Sequence, residues 1–431
     1  MSLLIKGGLV VDPAQGLEQT RDLLIQGDKI AALEPPGTIP GQGRRVVEAK
    51  GLVVAPGLID MHVHLREPGE EYKETILTGT RAAVHGGFTA VAAMPNTRPV
   101  NDTASVTRYI LEQAKAAGLA RVYPVGAISM GSAGRNLSEY GDQKAAGAVA
   151  LSDDGHPVTN PMLMRRALEY ARTFGLPIIS HCEDLDLRGD GVMHEGRVSL
   201  ELGLIGIPAA VEEIMIFRDL ALAQLTGGRL HLAHVSAFGS VALIRQAKAA
   251  GLTVTAETAP HYFHLTEEAV KGYDTNAKVN PPLRTAADVA AIREGLKDGT
   301  LDAIACDHAP HSTLEKDLEF EAAAFGLIGL ETSLGLSLKL VHDGVLTLTQ
   351  LVAKMSTNPA RILGVPGGTL TVGAPADLTL MDLNRPWQVD LSTFASKARN
   401  CPFNGWTLKG KAVTTIVGGK VVWEEGEGGS R

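Results

Sequence analysis

The segment GLIDMHVHLREPG, residues 57 to 69, places His62 and His64 one residue apart at the end of a short apolar run. Residues i and i+2 of a β-strand face the same side. Two imidazoles on one face, where a buried strand ends, make half of a metal site. Arg66 follows two residues later. A metal has no use for a guanidinium, but an anionic substrate does: the planar fork matches a carboxylate through two parallel hydrogen bonds. Ligands of the same kind end other apolar runs: Asp153 and Asp154 in LSDDG, His181 in IISHCED, His234 in LHLAHVS and Asp307 in IACDHAP. One histidine at a strand end is more often structural than functional. Imidazoles and carboxylates at the ends of five separate strands suit zinc or a similar divalent ion.

The set is large enough for two cations, provided that some group bridges them. LSDDG contains no lysine, so an aspartate carboxylate is the bridge available there. Two cations sharing a water lower its pKa toward ~7 and make it a nucleophile at neutral pH. Asp307 is then placed as the general acid and base, with plain metal ligation as its other role. Other histidines read differently. His231 lies three residues before His234, so alternation puts it on the opposite face, against a helix. His85 precedes Gly86 at a helix end, and His194 and His342 carry no spacing argument. The sparse, odd set of Cys182, Cys306 and Cys401 reads as buried small hydrophobes in a reducing, cytoplasmic setting.

Eight apolar runs can position these residues: 57–65, 87–96, 121–129, 147–154, 176–184, 229–236, 252–261 and 301–310. Segments with helical apolar spacing separate them, among them ETILTGTRAAVHG, PMLMRRALEYARTFG and VALIRQAKAAG. Strict alternation of strand and helix predicts an α/β fold, a (β/α)8 TIM-type barrel spanning 54–365 with its chemistry at the C-terminal strand ends. The other option, a doubly wound sheet, lacks a G-x-G-x-x-G turn after the first strand. Residues 1–53 and 366–431 are strand-like, punctuated by Gly and Pro, and predict one small β-sandwich domain built from both termini. Composition is that of a globular protein, 45% hydrophobic and 20% charged, in a chain of 431 residues. The net charge of -8 argues against a nucleic-acid partner. No run reaches the ~18 apolar residues of a membrane span, and the N-terminus has no signal-peptide pattern.

These motifs, with MPNT, ETAPHYF, NPPLR, CDHAPH and FGLIGLET, closely resemble the type I dihydroorotases of the amidohydrolase superfamily across almost the whole chain. The resemblance implies reversible cyclisation of N-carbamoyl-L-aspartate to L-dihydroorotate with release of water, the third step of pyrimidine synthesis. It implies two Zn2+ ions held by His62, His64, Asp154, His181 and His234, with Asp307 adjoining them as acid/base. Asp154 and a hydroxide would form the bridge, where many relatives use a carboxylated lysine. It matches His64, Arg66, Asn96 and His311 to the substrate and its α-carboxylate, and Asn280 with the Phe325–Gly326 backbone to the ring amide edge. It further implies a homodimer and leaves room for a complex with aspartate transcarbamoylase, although the sequence outlines no surface for one. The chain departs from the family in having Ala324 where Pro is expected before Phe325. The 312–324 segment reads as a mobile loop over the site, and Gly155 makes the strand-four loop look flexible. Competing readings are another cyclic amidohydrolase (dihydropyrimidinase, hydantoinase or allantoinase) and a non-catalytic dihydroorotase-like scaffold. Arg66 and the lysine-free LSDDG speak against the first, the complete ligand set against the second.

Overall fold

The computed structural model describes residues 2–426. All eight expected barrel strands are present: β1 (Leu58–Val63), β2 (Phe88–Ala93), β3 (Arg121–Gly126), β4 (Ala150–Leu151), β5 (Ile178–Ser180), β6 (Leu230–Leu232), β7 (Val254–Thr258) and β8 (Ala303–Ile304). Each pairs with the next in one sheet. A parallel bridge between Val63 and His308 closes the ring, and the His64 amide donates to the His308 carbonyl at 2.9 Å. The paired strands are shorter than the apolar runs, because the chain leaves the sheet before the chemically interesting residues.

Strand alternation divides the apolar residues into two cores. Inward side chains are small or slender, among them Ile59, Met61, Ala90, Ala92, Val125, Ala150, Ile179, Ala233 and Ala303, and they fill the barrel with Ile362 and Leu363. Outward side chains such as Phe88, Val91, Val122, Leu151, Leu232 and Val254 pack against helical Ala83, Ile110, Leu168, Ile216, Val241 and Ile292. Cys182 and Cys306 belong to this outer core, and all three cysteines are buried and free. The helices start and stop where local chemistry directs. Pro161–Phe174 begins behind Asn160, whose side chain accepts from the Met162 and Leu163 amides, and ends at the left-handed Gly175. Among the described residues no helix is long and apolar enough to cross a membrane.

The terminal segments meet in a separate eight-stranded sheet. Its order is Lys420–Glu424, Thr407–Val417, Leu378–Gln388, Val53–Pro56, Ser2–Asp12, Leu17–Gln26 and Lys29–Glu34, with Arg45–Glu48 beside Ser2–Asp12. Leu3, Ile5, Ile25, Val54, Leu378 and Ile416 share one core, so the sheet is a joint product of both chain ends. It runs on to Pro56, a little past the expected boundary at 53, and the barrel begins two residues later. At this seam the Gly57 amide donates to the Asp377 carbonyl, and Arg121 grips the Asp377 carboxylate through two hydrogen bonds of 2.7 and 3.1 Å.

The segment after β8, expected as a mobile loop, is tied down from beneath by two lysines. Lys316 Nζ donates to the Ala324 and Gly326 carbonyls at 2.8 and 3.0 Å, and Lys278 Nζ to those of Phe320 and Glu321 at 2.7 and 3.0 Å. The Asn400 amide also donates to Gly326. Burial pushes the Lys316 amine down to about 7 and that of Lys278 to about 8. A lysine whose folded pKa lies below its unfolded value releases its proton earlier in the folded state, so stability rises with pH across that interval. The unfolding free energy should therefore increase between pH ~7 and ~10 partly through Lys316. Denaturant titrations at several pH values should show a shallower rise for Lys316→Met, and identical slopes for the two proteins would refute the assignment.

Candidate metal and substrate site

The strand-end residues converge at the C-terminal mouth of the barrel. His62 lies in β1 and His64 just beyond it, and both imidazoles turn toward Asp154 after β4. His62 Nε2 is 3.1 Å from Asp154 Oδ1, and His64 Nε2 is 3.5 Å from Oδ2. His181, after β5, and His234, after β6, approach the same Asp154 Oδ1, each at 3.8 Å. Asp154 thus belongs to two ligand groups, one with His62 and His64 and one with His181 and His234. Within each group the candidate ligand atoms lie within 4.8 Å of one another. Asp307, after β8, places Oδ1 3.2 Å from His64 Nε2 and 3.6 Å from His62 Nε2. Asp153 takes no part, because its carboxylate accepts from the Ser129 amide and hydroxyl.

The donor set fits a divalent metal. His62 Nε2 is buried without a hydrogen-bond partner, and His181 Nδ1 faces His234 Nε2 at 2.8 Å. Two imidazole lone pairs at that spacing repel unless a proton or a cation lies between them. The tautomers also fit, since each neighbouring group fixes the nitrogen that points away from the centre. His62 Nδ1 bonds Glu257 at 2.9 Å, His64 Nδ1 bonds Asn96 Oδ1 at 2.8 Å and His181 Nε2 lies 3.3 Å from Glu183. Burial opposes charge on His62, but Asp154 and Asp307 outweigh it and hold that imidazole well above its ordinary pKa. Burial likewise opposes ionisation of Asp154 and Asp307, and the surrounding histidines, His62 foremost, reverse the balance and keep both far down. Such a cluster of mutually stabilised charges is ready to exchange histidine protons for metal ions.

A cavity of about 240 Å³ opens above the cluster. Its lining includes His64, Arg66, Asn96, Asp154, Asp307 and Asn280, with His311, Phe325 and Gly326 on the side of the anchored loop. The expected substrate contacts, Asp154, His181, His234 and Asp307 all lie on this wall, while His62 lies behind Asp154 and does not line it. Arg66 adopts a left-handed backbone with φ 61° and is buried. Its Nε donates to the Pro310 carbonyl at 3.1 Å, which fixes the plane of the guanidinium. Gly69 allows the tight HLREPG turn: a Cβ there would lie 2.0 Å from the Arg98 carbonyl oxygen. Burial, then the Arg66 charge, lowers the His311 imidazole to about 3, so this ring is neutral, and its Nε2 proton is committed to the Phe325 carbonyl at 2.8 Å. The Gly326 amide is likewise engaged, donating to the Lys278 carbonyl at 2.9 Å.

One orientation differs from the sequence expectation. His231 does not face a helix. It is fully buried inside the barrel, with Nε2 3.3 Å from Glu257 Oε2 and Nδ1 2.8 Å from Thr255 Oγ1. The alternation argument failed because His234 has φ 34°, a left-handed turn that swings its ring back over the barrel axis. His85 does end the helix Ile76–His85 and packs on Trp423. The sequence reading passed over Glu257, Glu183 and Arg188. The first two had a visible signal: each is a carboxylate in or beside an apolar strand at inward register, and Glu183 is two residues from His181. Arg188, reached only through a loop, had none.

A sequence profile described as the Amidohydrolase family matches residues 53–422. Dihydroorotases of Geobacter metallireducens and Geobacter sulfurreducens are 59% and 60% identical to the chain; the alignments cover 98% and 99% of it and 100% of each relative. In three dimensions the chain is similar to the L-hydantoinase (dihydropyrimidinase) of Arthrobacter aurescens, with a TM-score of 0.88 and 28% identity over 99% of this chain and 96% of the other. With a barrel whose mouth gathers histidines around a shared aspartate, and full-length relatives this similar, the chain belongs to the amidohydrolase family and, within it, to the dihydroorotases.

Proposed function

We propose that the chain interconverts N-carbamoyl-L-aspartate and L-dihydroorotate, a reversible cyclisation that releases water. The observation that carries this reading is Arg66, a buried guanidinium set by Pro310 in the wall of the cavity that contains Asp154 and Asp307. It supplies a fixed site for a substrate carboxylate beside a metal centre, and a dihydropyrimidine without that carboxylate has no use for it. Asn96 adds a second donor: its Oδ1 is occupied by His64, so its amide NH2 is free to face an anion. The names of the dihydroorotases of similar sequence support the same substrate pair.

The two ligand groups, which share Asp154, would hold two zinc ions. When bound, they polarise a carbonyl or carboxylate oxygen and lower the pKa of water. The chain's own residues do the rest. Arg66 and Asn96 hold the carboxylate end, which fixes the reacting amide over Asp154. In the hydrolytic direction the Asp307 carboxylate takes a proton from the attacking water and delivers it to the departing ring nitrogen. In the synthetic direction it removes the proton of the ureido nitrogen as that nitrogen closes on the side-chain carboxyl, and passes it to the carboxyl oxygen whose C–O bond breaks, so that this oxygen departs as hydroxide and, with a proton from solvent, as water. Asp307 lines the same cavity as Arg66 and Asn96, with Oδ1 3.2 Å from His64 Nε2, which places its carboxylate beside the reacting groups.

Asp307→Asn should fold and retain most of its metal while kcat falls by about 10²–10⁴-fold, the range for loss of a general acid–base. Metal analysis beside a hydrolysis assay checks this, and near-normal turnover would remove Asp307 from the mechanism. A comparison of dihydroorotate, dihydrouracil and hydantoin as substrates tests the wider reading. Dihydroorotate should be strongly preferred, and Arg66→Leu should raise its KM sharply without gain for the other two. Preference of the parent enzyme for dihydrouracil would overturn the assignment.

A further inference from the structure

Glu183 is buried beside the metal site and is shared by three groups. Its Oε2 lies 3.3 Å from His181 Nε2, while its Oε1 accepts from the Asn280 amide at 3.0 Å and lies 3.3 Å from Arg188 Nε. Arg188 in turn stacks over the Phe325 ring, 5.2 Å from its centre, and lines the substrate cavity with Asn280. A carboxylate can only accept hydrogen bonds. Both of its neighbours must therefore present N–H, and this fixes two orientations that the neighbours alone would leave open. His181 carries its proton on Nε2, which leaves the Nδ1 lone pair aimed at Asp154. Asn280 turns its NH2 toward Glu183, which leaves Oδ1 as the atom available to the cavity.

We propose that Glu183 is a positioning residue that ties metal ligation by His181 to substrate recognition by Asn280, making Asn280 an acceptor selective for a ring or ureido N–H. The recognition half rests on the dihydroorotase reading; the metal half does not. The link is physical rather than a matter of proximity. A single anion holds both donors, so replacing one of its acceptor oxygens by a donor must give up one of the two orientations. Glutamine in its place has one acceptor oxygen and an NH2, so it accepts from His181 only by turning Asn280 over, or keeps Asn280 only by losing His181, while methionine accepts from neither. Arg188 completes the device by neutralising the carboxylate from the solvent side.

The test compares Glu183→Gln, Asn280→Ala and the double variant as full-length protein. Zinc affinity is measured by competition with a chromophoric chelator, and KM and kcat are measured on dihydroorotate. Glu183→Gln should weaken zinc binding by about 10–100-fold, the usual effect of removing a carboxylate behind a ligating histidine, and should also raise KM. Asn280→Ala should raise KM and leave zinc affinity unchanged. In the double variant KM should be little worse than in either single one, because Asn280 no longer has a fixed orientation to lose. Unchanged zinc affinity in both Glu183→Gln and Glu183→Met, or fully multiplicative KM effects, would overturn the proposal. An unaltered KM in Asn280→Ala would instead remove Asn280 from the substrate site and with it the recognition half alone. Glu183→Met, of similar volume, provides the same comparison if the glutamine variant does not fold.

Discussion

The structure is organised around one electrostatic constraint: four imidazoles and two carboxylates meet, largely buried, in the barrel mouth. Buried charge is costly unless it is paired, and here no group could be left alone. Asp154 alone is approached by His62, His64, His181 and His234. The barrel makes this possible because its strands are independent anchors for side chains that end within a few ångströms of one axis. A helix or a single loop could not bring residues from positions 62 to 307 to one carboxylate with so little freedom. The layer below adds support: His62, Glu257, His231 and Thr255 form a chain across the interior that fixes the His62 ring from behind.

Substrate recognition uses a different principle from metal binding. The metal ligands sit on or immediately after strands, where position is set by the sheet. The groups expected at the substrate's edges come from loops, and each is held by a contact that uses up one side of it. Pro310 occupies Arg66 Nε, His64 occupies Asn96 Oδ1, and Glu183 occupies the Asn280 amide. What remains free of Asn96 and Asn280 is the part facing the cavity, while Arg66 keeps its terminal nitrogens beside Glu70 at 3.9 Å and His311 at 3.4 Å. The loop that carries Phe325 and Gly326 follows the same rule through Lys316, Lys278 and Asn400. Departure from the expected proline at Ala324 is offset by this bracing, since Lys316 holds the Ala324 carbonyl itself.

Much of this was legible in the sequence because the period of a strand is short. Inward and outward residues alternate, so His62 and His64 share a side by spacing, as do Ile179 and His181, although a register irregularity between Asp60 and Val63 is what turns His62 to the same side as the inward Ile59 and Met61. The same rule could have found Glu183 and Glu257, both carboxylates at inward register. It misplaced His231, and the cause was local: spacing counts residues, whereas a left-handed φ at His234 changes which way the count points. Loop-borne groups such as Arg188, Lys278 and Lys316 were beyond it, because their partners are set by tertiary contacts and not by any repeat.

That failure of counting marks something general about the site. Outside glycine, the described residues contain five positive φ values, and three of them belong to Arg66, His234 and Asp307. A positive φ is uncommon outside glycine and costs of the order of 1–3 kcal/mol per residue. A strand leaving the barrel carries its side chains alternately into the interior and out among the helices. To set a side chain over the axis, above the last layer of the core, the backbone must break the alternation at the strand's end. The left-handed turn does this in one residue. The surrounding structure sustains it: Arg66 is fixed through Pro310, and Asp307 is flanked by Cys306, whose amide is bonded to Asp60, and by His308, whose carbonyl closes the ring on His64. The strain therefore lies where the fold stops obeying its own period, and that is where the ligand, the acid–base and the anion-binding group are found.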